Sequence, residues 1–192
     1  MMMQMLEAAG IDVASDRVRE ADDDNRRGYY ELEVVKRIRE DTSFFDGCVG
    51  KAVKVVAPLL RFIPRSFDYY ILFMDRDLDE VLASQQEMLR RRTGREEGAD
   101  DANTSAMAHA YQNQTERVRN WIDDQSNIES LRISHSQMLS EPVSAARLVA
   151  EFLAPSGFSL QAADSDLSSA SLIDRMADVV DPELSRQSWS RR

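Results

Sequence analysis

The stretch Tyr69-Tyr-Ile-Leu-Phe-Met-Asp-Arg-Asp-Leu-Asp-Glu-Val-Leu-Ala-Ser-Gln-Gln-Glu-Met-Leu-Arg-Arg-Arg92 changes its hydrophobic period halfway along. Tyr70 to Met74 is an unbroken apolar run of strand-forming residues, as in a parallel strand buried on both faces. After it, Asp77 and Glu80 have capping-box spacing, and Leu78, Val81, Leu82, Gln85, Met88 and Leu89 recur at helical intervals. Acids occupy the first turn and Arg90, Arg91 and Arg92 the last, which complements the helix dipole, and Gly94 ends it. The stretch predicts a strand, a tight turn and a helix.

A turn of that kind is where an α/β sheet holds its ligands, outside the carboxyl ends of the strands and beside helix N-termini. Arg76 falls at this edge and Ser84 two turns up the helix. A guanidinium fork with a neutral hydroxyl suits a phosphate monoester. From these two residues alone the plainer reading stays open: Arg76 as a surface ion-pair partner and Ser84 as a small helix residue.

The remainder of the chain is consistent with one domain over residues 1–192, long enough to bury a full core. Its 43% hydrophobic and 30% charged residues are ordinary for a globular protein, and no apolar run approaches membrane-spanning length. A net charge of −10 argues against nucleic-acid or anionic-membrane partners. The single cysteine, Cys48, excludes an internal disulfide and suits a cytoplasmic location. No metal-ligand spacing is evident, including in the acidic run Asp22–Asp24.

In chain order, Met2, Met5, Leu6 and Ala9 share the face of a helix over Met1–Ala9 that Gly10 closes, and Ile11–Arg27 is a polar, turn-prone loop. A helix to about Glu40 places Leu32, Val35 and Ile38 on one face, with Glu33 spaced to pair with Arg37. Lys51–Pro58 is the second strand, ended by proline. Arg95–Asn103 reads as a charged loop, Thr104–Ile122 as a helix with Met107, Tyr111, Val118, Trp121 and Ile122 as its apolar stripe, and His109 as a solvated residue off that stripe. A third strand over Ile128–Ile133, a helix over Val143–Leu153 using Ala146, Leu148, Val149 and Phe152, and a short helix over Leu172–Val180 complete the pattern. This order predicts an α/β fold: three layers, with a parallel β-sheet flanked by helices.

Several of these segments together resemble the P-loop sulfotransferase family, in particular its bacterial sulfotransferase-like members. The family's 3′-phosphate motif commonly reads Arg-x-Pro-x-Asp-x-x-x-Ser, and Arg76 to Ser84 matches it with Leu78 in place of the proline. Asn25-Arg-Arg-Gly28-Tyr29-Tyr30-Glu31 is similar to the family's Asn-Pro-x-Gly-Tyr-Tyr-Glu, with Arg26 in place of proline. His135-Ser-Gln-Met-Leu-Ser-Glu-Pro142 is similar to its Tyr-Glu-Asp-Leu-x-x-x-Pro, with His135 at the adenine-contacting position and Gln137 for the aspartate. Where many relatives carry Lys-x-His, Lys54 keeps the lysine and Val56 replaces the histidine.

The resemblance implies a P-loop NTPase-like fold and sulfuryl transfer from 3′-phosphoadenosine 5′-phosphosulfate (PAPS) to a hydroxyl or amine of a small-molecule acceptor, leaving 3′-phosphoadenosine 5′-phosphate (PAP). Arg76, Ser84 and His135 are then cofactor-binding. Lys54 attends the bridging oxygen, and Glu31 is a candidate base in place of the missing histidine. Each keeps a plainer alternative: Glu31 as a surface or capping residue, Lys54 as a snorkelling or ion-paired lysine, His135 as an ordinary strand-end histidine. The family's first strand and 5′-phosphosulfate loop would precede Met1, so the resemblance also implies a truncated or inactive relative that at most binds nucleotide or a partner protein. A P-loop nucleotide kinase fits less well, because neither a Walker loop nor a strand aspartate positioned for Mg²⁺ is evident.

Overall fold

The computed structural model describes residues 1–16, 18, 28–77, 81, 101–157 and 169–181. Over these residues the chain is mixed α/β, with two small parallel sheets and helices around them. Helix α1 (Met2–Ala8) is closed as its sequence predicts: Gly10 takes φ +83, Ile11 N–H reaches the Leu6 carbonyl and Gly10 N–H the Glu7 carbonyl. Those two bonds form a Schellman cap, which needs the left-handed residue that glycine supplies without strain.

Strand β1 (Val13–Ala14) pairs in parallel with β2 (Ala52–Val53). This corrects two expectations. The Ile11–Arg27 segment is not all loop, since the Asp12 carbonyl accepts Ala52 N–H and starts the ladder. Nor does the second strand run to Pro58: Ala57–Phe62 winds into a 3-10 turn with Leu59 N–H on the Val56 carbonyl, because proline cannot donate to a ladder. Strands β3 (Tyr69–Asp75) and β4 (Ile128–Ser134) form the longer parallel pair, with Tyr69 opposite Ile128 and Asp75 opposite Ser134. Instead of one sheet, the described strands form two separate two-stranded pairs.

The period of two along β3 sends its residues to two cores. Tyr70, Leu72 and Met74 join Leu131 and Ile133 against the cluster built by α1, α4 (Pro142–Leu153) and α5 (Ser169–Asp178). Tyr69, Ile71 and Phe73 face Phe45, Ile63 and Leu60 of the 3-10 turns and their flanks, together with Trp121 and Ile122 of α2 (Asp101–Asp123). The strand is covered on both faces but less deeply than an unbroken apolar run suggests, since only Phe73 along it is buried.

The helix expected to Glu40 is a 3-10 turn over Glu33–Arg37. Its apolar residues Leu32, Val35 and Ile38 are spaced by three, which is the 3-10 period, so they still share a face. The same tightening moves the ion pair: Glu33 Oε2 meets Lys36 Nζ at 2.7 Å, three residues on, rather than Arg37. Helix α2 begins at Asp101, inside the segment read as loop, and Met107 of its expected stripe is exposed. On α4 the buried residues are Ala145, Ala146, Val149 and Leu153, whereas Leu148 is exposed. The predicted helix after Asp77 and the acidic run Asp22–Asp24 lie outside the described residues, apart from Val81, which is helical and donates to the Asp77 carbonyl. Among the described residues no helix is long and apolar enough to cross a membrane.

The Tyr69 hydroxyl donates to the Pro64 carbonyl at 2.7 Å, and burial pushes its phenol up to about 12. The folded value lies above the unfolded one of about 10, so the associated stability is complete below pH 10 and disappears as pH rises through 12. Because the side chain is only half-buried, the loss is on the order of 1 kcal/mol. Urea midpoints at pH 9 and pH 12 should separate in wild type by more than in Tyr69→Phe; equal separation would show that Tyr69 does not carry the dependence.

Candidate functional site

Four of the five residues singled out in the sequence lie within the described residues, and the fold brings them together as two pairs. Ser84 lies outside the described residues.

The first pair lies just past the end of the β1–β2 ribbon. Lys54 immediately follows β2; its Nζ donates to the Tyr29 carbonyl at 2.9 Å and to Glu31 Oε1 at 3.4 Å, and lies 5.9 Å from the Tyr29 ring centroid. Lys54 is therefore ion-paired, one of the alternatives its sequence left open. Glu31 is held by its backbone: its carbonyl accepts Ser15 Oγ at 3.1 Å and Asp16 N–H at 3.2 Å. Asp16 also accepts Glu33 N–H and Val18 N–H, and these bonds hold its carboxyl below the usual carboxylate range. The turn into Glu31 uses Gly28 at φ +85 and Tyr30 at φ +49. A tyrosine in the left-handed region costs about 1–2 kcal/mol, and its hydroxyl is anchored on Glu7 Oε2 of α1 at 2.7 Å.

The second pair lies at the carboxyl edge of the β3–β4 ribbon. Arg76 follows β3, His135 follows β4, and an Arg76 guanidinium nitrogen lies 3.3 Å from His135 Nε2 across a separation of 59 residues. Parallel pairing with Asp75 opposite Ser134 puts the next residues side by side. His135 opens helix α3 (His135–Ser140), whose Gln137 N–H bonds Ser134 Oγ, and it is 8% exposed. His135 thus stands at the strand end with its side chain against the arginine. Asp75 is bound by Arg119 of α2, whose guanidinium also lies 5.8 Å from the Phe73 ring centroid. Arg119 thereby takes up the neighbouring acid, and among the described residues no carboxylate neutralises Arg76.

A cavity of about 460 Å³ opens beside the first pair, lined by Asp12, Ser15, Leu32, Phe44, Cys48 and Lys51 among others. Neither pair lines it. Burial pushes the Cys48 thiol up, which keeps it protonated and a poor nucleophile. Among the described residues no group of three or more His, Cys, Asp or Glu is placed to hold a metal ion.

Ser15, Asp16, Tyr30, Asp75 and Arg119 support these pairs without a sequence signal. Tyr30 is the clearest case, because glycine, asparagine or aspartate would have announced a left-handed residue and tyrosine does not. No protein-family model, no curated protein and no solved structure matches this chain.

Proposed function

We propose that this chain is a sulfotransferase-like protein of three-layer P-loop NTPase type, binding PAPS or PAP through Arg76 and His135. The observation that carries the reading is Arg76, which no carboxylate among the described residues neutralises, beside His135 at the carboxyl ends of two parallel strands. That edge is where α/β sheets bind ligands, and a guanidinium there suits a phosphate oxygen fork. Ser84, outside the described residues, completes the set by its spacing from Arg76.

The bound donor supplies a sulfuryl group activated by a good leaving group. The protein's part is positioning and charge neutralisation, as in phosphoryl transfer. Arg76 anchors the nucleotide. Among the described residues Lys54 gives two of its three N–H donors to Tyr29 and Glu31, and the third neutralises charge on a leaving oxygen. Glu31, fixed by Ser15 and Asp16, accepts the proton of the acceptor hydroxyl or amine.

A second reading, nucleotide binding without transfer, is favoured by Val56, a proton-inert side chain that is 58% exposed past the β1–β2 ribbon. Thermal unfolding tests the shared premise. PAP at one hundred times its Kd should stabilise the chain by about 2.7 kcal/mol, roughly 5–10 °C in Tm, with AMP giving a smaller shift at equal concentration. Equal or absent shifts would reject a 3′-phosphate site. Release of PAP from PAPS only with a phenol or amine present would then favour transfer over binding alone.

A further inference from the structure

The cavity beside the β1–β2 ribbon belongs to neither of the two pairs, yet its volume of about 460 Å³ falls in the range of small-molecule sites. Its lining is chemically divided. Leu32, Val34 and Phe44 supply apolar surface, and the Phe44 ring packs on that of the buried Phe45, with 4.5 Å between centroids. A hydrocarbon lining that includes a packed aromatic ring suits an aliphatic or aromatic body.

The charged lining is Asp12 and Lys51. Val13 stands opposite Ala52, and Ala52 N–H bonds the Asp12 carbonyl, so Asp12 and Lys51 are the next pair back along the same parallel ladder. Residues opposite each other in a ladder project from the same face, which sets a carboxylate beside an ammonium. Both residues are exposed, and among the described residues neither side chain has an ion-pair partner, each other included. Burial raises the Cys48 thiol and the Lys51 ammonium partly offsets the rise, which puts that ammonium near a further lining group. A bare cation entering here is repelled by Lys51 and a bare anion by Asp12, whereas a zwitterion pairs with both.

We propose that this cavity binds a free α-amino acid with an aromatic or branched apolar side chain. Its ammonium pairs with Asp12, its carboxylate with Lys51, and its side chain lies on Leu32, Val34 and Phe44. The site is separate from Arg76 and His135 and does not depend on the nucleotide reading.

Isothermal titration of the whole chain at low salt and neutral pH, with phenylalanine and with leucine, tests it. Three truncated ligands accompany them: 2-phenylethylamine lacks the carboxylate, 3-phenylpropionate the ammonium and glycine the side chain. A ligand of this size held at two points should reach a Kd of about 0.1–1 mM for one or both amino acids, with the truncated ligands at least about fivefold weaker. Asp12→Asn and Lys51→Gln, both at exposed positions, should each weaken amino-acid binding by about five- to tenfold. Asp12→Asn should not weaken 3-phenylpropionate, because it removes a like charge. Cys48, the chain's single cysteine, reports the location: a saturating amino acid should slow its alkylation by iodoacetamide by about threefold or more. No binding of either amino acid, equal binding of the truncated ligands, or binding that leaves Cys48 alkylation unchanged would overturn the proposal. None of these results bears on PAP, whose binding is read separately at Arg76.

Discussion

Arg76→Ala should weaken PAP binding by about 10- to 100-fold and leave AMP binding within twofold. A hydrogen bond to a charged group contributes about 1.5–3 kcal/mol, and each 1.4 kcal/mol is a factor of ten. The loss should approach the upper end because no carboxylate among the described residues already occupies Arg76. Arg76→Lys should fall between the two, since an ammonium keeps the charge but not the planar fork. Isothermal titration with both nucleotides reads this directly, and the contrast between them separates lost recognition from lost folding. Parallel losses for PAP and AMP would mean that Arg76 supports the fold rather than the 3′-phosphate.

Met5→Ala should destabilise the chain by about 2–4 kcal/mol, lowering Tm by roughly 5–15 °C. Met5 is fully buried, in the cluster where α1 meets Met176 of α5 and Val149 of α4. Its removal leaves a cavity in a packed interior that relaxes only partly. Met107→Ala is the control: this residue is 39% exposed on α2, and its loss should stay within about 0.5 kcal/mol. Urea unfolding of the two variants measures both. A cost below about 1 kcal/mol for Met5 would mean that α1 is not a structural part of the core. The consequence reaches the site, because α1 carries Glu7, the anchor of the strained Tyr30 before Glu31.

The residues that read well in the sequence are those whose role is set by near neighbours. Met2, Met5 and Leu6 share a face at helical spacing, and Gly10 closes the helix through its own φ. Pro142 opens α4, where a missing N–H costs nothing. The errors also have local causes. Leu32, Val35 and Ile38 at a spacing of three fit an α-helix nearly as well as a 3-10 turn, so the period could not separate them. A two-residue strand such as Val13–Ala14 has no period to detect.

By itself the sequence determined an apolar strand over Tyr70–Met74, seen as Tyr69–Asp75, a strand over Ile128–Ile133, seen as Ile128–Ser134, and that Arg76 and His135 stand at their ends. These follow from propensity, period and residue type, which act over a few residues. The parallel sense was also expected; only the tertiary structure decided the register, with Asp75 opposite Ser134, and so that Arg76 and His135 touch. It likewise decided that Lys54 finds Glu31, and that Arg119 removes Asp75 from competition for Arg76. Register between distant strands is set by packing two faces at once, against α1, α4 and α5 on one side and α2 with the 3-10 turns on the other. No short window of sequence contains that information.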